Sequence, residues 1–61
     1  MIISNADKLT CAERELKLRR RVYPNFILTH RIPPAKAERE IAVMEAIVAD
    51  YQELVQRDRL L

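Results

Sequence analysis

From Pro34 to Asp58 the chain alternates apolar and polar residues with the spacing of one long helix. Ala37, Ile41, Met44, Val48, Tyr51 and Val55 recur at intervals of four and three and make one seam. Val43, Ile47 and Leu54 form a second seam beside it, so the apolar arc spans about 160°, against the ~100° stripe of an ordinary surface helix. A helix of about 25 residues would be roughly 37 Å long. One short neighbour does not hide so wide an arc. Two coverings are open: helix 1 with the segment around Phe26 in the same chain, or a second copy of the chain. The second copy is the expectation.

The first half has narrower signals. Thr10-Cys11-Ala12-Glu13 has the form of a capping box, which places the start of helix 1 there. Glu13 with Lys17 and Glu15 with Arg19 are correctly oriented i,i+4 pairs. Pro24 lacks a donor and biases Tyr23 toward extended geometry, so helix 1 is expected over about 11–23, with a kinked continuation through Leu28 as the alternative. If Pro24 ends the helix, Phe26, Ile27 and Leu28 form a short cap in which Phe26 covers Met44 or Ile41. The apolar residues of helix 1 form two seams, Cys11/Leu18/Val22 and Ala12/Leu16/Tyr23, with Glu15 and Arg19 between them. Two seams around an ion pair suit a helix wedged between two neighbours.

Glycine is absent, so any left-handed helix cap falls to Asn25 or His30. Ile32 and Pro33 each precede a proline and favour extended backbone, while Pro34 suits a first helical position. Helix 2 is therefore predicted over about 34–58, with Pro33 as its N-cap and Arg57 and Arg59 near its negative pole. Residues 1–9 and 59–61 are expected to fray. The expected fold is a single all-α helical hairpin over residues 1–61, dimerising into a four-helix bundle with Met44, Val48, Tyr51 and Val55 at the dimer interface.

Size sharpens that expectation. A 61-residue chain lies near the lower limit for a single self-sufficient core and needs some staple. Cys11 is the only cysteine and His30 the only histidine, so neither a disulfide within the chain nor a tetrahedral zinc site supplies one. No cofactor or metal is expected. Met1 to Asn5 does not resemble a signal peptide, and no apolar run approaches the ~20 residues that span a bilayer, which predicts a cytoplasmic protein without a membrane partner.

The net charge of +2 is unevenly divided. Residues 1–23 carry +3 and residues 24–61 carry −1, so the basic character belongs to helix 1. Arg14, Lys17, Arg20 and Arg21 occupy an arc of about 120° facing away from both seams. Such a group can be a solvated face, a contact for an acidic protein, or a set of phosphate contacts on nucleic acid. Against nucleic acid stand the low overall charge, the absence of aromatics among the cations and the lack of a recognition-helix motif. Glu40 lies inside the apolar arc of helix 2 and calls for an arginine of helix 1 or of a partner, or for a wet helix end. Ala35, Ala42, Ala46 and Ala49 make a small-residue stripe that admits a close helix, although alanine is also the best helix former. Catalysis has little to stand on, since Cys11 and His30 fall on different elements with no third orienting group. Glu38, Glu45 and Asp50 lack the spacing of a di-metal bundle.

The strings Ala12-Glu13-x-Glu15, Arg19-Arg20-Arg21-Val22-Tyr23-Pro24, Ala35-Lys36-Ala37, Glu40-Ile41-Ala42-Val43-Met44-Glu45-Ala46-Ile47 and Asp50-Tyr51 together resemble a group of small phage and prophage proteins. The similarity covers about residues 10–51. It implies an accessory role in a bacterial cytoplasm and transfers no catalytic residue. The functional expectation is a non-enzymatic adaptor or modulator that binds a host or phage protein, with nucleic-acid binding through Arg14, Lys17, Arg20 and Arg21 as the alternative.

Overall fold

A computed structural model describes residues 1–60. It contains two helices, α1 (Asn5–Leu28) and α2 (Pro34–Leu60), joined by residues 29–33. The Asn5 amide donates to Asp58 at 3.2 Å and the Arg20 guanidinium to Glu45 at 2.8 Å. Those pairings require the helices to run in opposite directions, and the fold is a helical hairpin.

Helix α1 starts six residues earlier than the Thr10 box predicts. Ser4 is the N-cap, its Oγ accepting from the Asp7 N–H at 3.0 Å. Ser4-x-x-Asp7 is a second capping sequence, and it wins because the added turn brings Leu9 onto the seam of Ala12 and Leu16. Thr10 instead lies inside the helix, its hydroxyl donating to the Ala6 carbonyl at 3.1 Å. Residues 5–9 are thus helical rather than frayed. At the other end α2 reaches Leu60, so Arg59 and Leu60 are helical too, while Leu61 lies outside the described residues.

Pro24 sits within α1, and the helix continues to Leu28. A proline in a helix interior costs about 3 kcal/mol. Tyr23, Phe26 and Ile27 are all partly buried, and full burial of an apolar side chain of that size is worth about 1.5–3 kcal/mol. Half of that gain over three residues offsets the proline. The separate cap expected after Pro24 does not form; Phe26 belongs to α1, its ring 6.0 Å from that of Tyr23 and 5.5 Å from the Arg31 guanidinium. Replacing exposed Pro24 with alanine restores the missing donor. It is expected to raise stability by about 1–3 kcal/mol, read from urea unfolding.

The connection is closed by hydrogen bonds. His30 adopts φ 58°, the left-handed position that the lack of glycine assigns to it or to Asn25. Its N–H donates to the Ile27 carbonyl at 3.1 Å, and that of Arg31 to Phe26 at 2.8 Å, the pair of bonds that defines a Schellman ending. Helix α2 then begins at Pro34 with the Ala37 N–H on the Pro33 carbonyl at 3.0 Å, as predicted.

The core is one thin row. Ala12 and Leu16 of α1 pack with Met44 and Val48 of α2, flanked by Leu9 and Ile41, and Ala37 and Val55 are buried farther along the same seam of α2. Met44, Val48 and Val55, expected at a dimer interface, are therefore taken up inside one chain. Tyr51 is half-buried beside them, with the Lys8 ammonium 5.8 Å from its ring. The α1 seam through Ala12 and Leu16 is nearer to Met44 and Val48 than any partner would be, and it covers them first.

The Cα extents are 47 × 20 × 16 Å, a layer one helix thick. The radius of gyration is 14.2 Å. A compact chain of this length would have about 10.5 Å. Both broad faces of the hairpin are open.

Candidate functional site

Two surfaces carry chemistry. The first is on the outer side of α1. At about 100° per residue, Arg14, Lys17 and Arg21 fall within roughly 60° of one another, opposite the Ala12–Leu16 seam. All three are exposed, and among the described residues none has a carboxylate within ion-pair distance. They line a shallow groove of about 420 Å³ whose apolar member is Leu18. Arg20 does not belong to this group. It lies at the edge of the arc nearest α2, where its guanidinium pairs with Glu45 at 2.8 Å. Three of the four predicted cations remain without an ion pair among the described residues.

The second surface is one broad face of the hairpin. An ion-pair triad crosses it: Arg19 Nε donates to Glu15 at 3.0 Å, and its Nη1 donates to the Glu40 backbone carbonyl at 2.9 Å and lies 3.6 Å from the Glu40 carboxylate. The Glu15 hydrogen bond leads the influences that raise the Arg19 pKa and hold its guanidinium charged. Glu40 thus finds the helix 1 arginine that its position in the apolar arc demands. With the triad as a landmark, helical geometry places Leu18 and Val22 of α1 and Val43, Ile47 and Leu54 of α2 on the same face. Leu18 is 40% exposed, Val43 41% and Ile47 36%, so the second seam of each helix lacks the cover that the first seams give one another. Leu18 stands at the border with the cation strip.

No protein-family model, curated protein or solved structure matches this chain. Among the described residues no cluster of His, Cys, Asp or Glu is arranged to hold a metal, and no helix is long and apolar enough to cross a membrane. Cys11 is exposed and free. Ala35, Ala42, Ala46 and Ala49 face solvent along α2, away from the core.

The cations were visible in the sequence, as was the pairing of Glu40 with an arginine. Two features were not. Loss of Arg20 to Glu45 depends on where α2 lies beside α1, which no helical wheel of α1 contains. Allocation of Met44 and Val48 to the intrachain core depends on which of two apolar seams meets α1, and the two seams of α2 have similar composition. The seam of Ala12, Leu16 and Tyr23 carries the signal: its steps of four and seven, read in the opposite direction, match the steps of seven and four from Ala37 through Met44 to Val48.

Proposed function

We propose that this chain is a non-enzymatic interaction protein that works as a pair of hairpins and binds an acidic segment of another protein through Arg14, Lys17 and Arg21. The observation that carries the reading is the cation strip, three charges on one helix face that are in no ion pair among the described residues. Preformed, unpaired cations favour association with acidic surfaces and speed the encounter. The pairing of hairpins into a four-helix bundle is supported by the surface area. The chain exposes 5019 Å². A folded monomer of its mass would expose about 4,100 Å². The surplus is on the order of 900 Å², close to the ~800 Å² that each partner contributes to a standard interface. The resemblance of residues 10–51 to small phage and prophage proteins favours, by analogy, an accessory role in a bacterial cytoplasm and a host or phage protein as the partner.

Capture from a nuclease-treated bacterial lysate tests the reading. The wild-type chain and an Ala46→Glu variant are expected to retain the same acidic protein, and Arg14→Glu/Arg21→Glu to lose it. Capture abolished by Ala46→Glu alone moves the contact to the alanine side of α2. No protein above background removes the reading. Nucleic acid is the competing result: three phosphate contacts on duplex DNA give a log–log salt slope of about −2.7, a little under one per contact.

A further inference from the structure

We infer that the second copy of the chain lies on the Val43–Ile47–Leu54 face with its own α2 antiparallel to the first, the two-fold axis passing beside Ile47. The inference rests on the paired-hairpin reading above and adds the geometry of the pair.

On this face α2 carries matching or complementary residues at equal distances on either side of Ile47, except that Glu40, already held by Arg19, falls opposite Leu54. Lys36, Val43, Ile47 and Leu54 fall within about 40° of one another around the helix, and Glu40, Tyr51 and Asp58 flank them on the side toward α1. Val43 is four residues before Ile47 and Tyr51 four after; Glu40 is seven before and Leu54 seven after; Lys36 is eleven before and Asp58 eleven after. An antiparallel copy centred at Ile47 therefore sets Ile47 against its own mate and Val43 against the partner's Tyr51. At each end it brings Lys36 to the partner's Asp58, about 16 Å from the axis. Both residues are exposed, and among the described residues neither is in an ion pair; Asp58 accepts only from the neutral Asn5 amide. The face thus carries an unpaired cation and an unpaired anion at matching distances from a central apolar residue. That is charge complementarity of a surface with itself, as a two-fold contact requires.

The other two-fold arrangement has its axis along the helices and lays α2 on the partner's α1 at the same level. Arg19 meets Glu40, and Leu16 and Ala12 lie level with Met44 and Val48, so this arrangement sets Ile47 near the partner's Glu15. It also leaves Lys36 at the level of the partner's Pro24 and Asn25, with no carboxylate to meet. The charged ends therefore favour the antiparallel pair.

Disulfide trapping distinguishes them. In a Cys11→Ser background, Ile47→Cys is expected to form a covalent dimer almost completely under mild oxidation, with helicity unchanged by circular dichroism. Lys36→Cys in the same background is expected to form almost none, its mate being roughly 33 Å away. A second, reversible readout is charge exchange. Lys36→Asp is expected to weaken dimerisation roughly tenfold, and Lys36→Asp/Asp58→Lys to restore it. A wild-type dimer without the Ile47→Cys link, or a charge exchange that fails to restore pairing, overturns the antiparallel placement while leaving paired hairpins intact. A folded wild-type monomer overturns both.

Discussion

Leu16→Ala is expected to leave the chain largely unfolded at 25 °C. Leu16 is one of only two buried residues on α1, 7% exposed, and it joins Ala12 to Met44 and Val48. Leucine-to-alanine changes in a core cost about 2–5 kcal/mol. A chain of this size draws about 3–5 kcal/mol from a single core, so the substitution removes most of what holds the helices together. Far-ultraviolet circular dichroism during urea unfolding measures the loss. A cost under about 1 kcal/mol would mean that the row Ala12, Leu16, Met44, Val48 is not the core.

A charge at Val48 and a charge at Ile47, adjacent in sequence, are expected to act in different ways. Val48 is 8% exposed and buried against α1, so Val48→Glu puts an unpaired carboxylate into the buried apolar row of the hairpin. Burial of such a group costs several kcal/mol, and the helices should not pair at any protein concentration. Ile47, at 36% exposed, lies outside that buried row. Ile47→Glu should leave the hairpin's own contacts in place and place two like charges across the two-fold axis, breaking the dimer. The two variants separate when helicity is followed against concentration. Val48→Glu stays low throughout, whereas Ile47→Glu keeps helical signal with a monomer's mass. Equal behaviour of the two would mean that both residues serve one interface.

Much of the fold was legible in local pattern, and the misses share a cause. The Ile32-Pro33-Pro34 step starts the second helix by covalent geometry alone, so the start of α2 at Pro34 needed no tertiary information. The same holds for His30, left to take the positive φ when no glycine is present. Ser4-x-x-Asp7 and Thr10-x-x-Glu13 are caps of similar strength, and Leu9 packing beside Ala12 and Leu16 selects the first. Pro24 carries a local penalty large enough to predict a stop, and burial of Tyr23 and Ile27 against α2 outweighs it. Each choice was settled by contacts between helices. The candidate site follows the same division: Arg14, Lys17 and Arg21 share a face by helical spacing, and Arg20 leaves it only because Glu45 of α2 stands within reach.

In the proposed pair each hairpin, a layer 16 Å thick with a second apolar seam on each helix, is half of a larger core. Sedimentation equilibrium of the wild-type chain at tens of micromolar tests this most directly. The expected result is twice the chain mass of 7.2 kDa, with Ile47→Glu shifting the distribution to monomer. A fully helical, ideal 7.2 kDa monomer over that concentration range would contradict it.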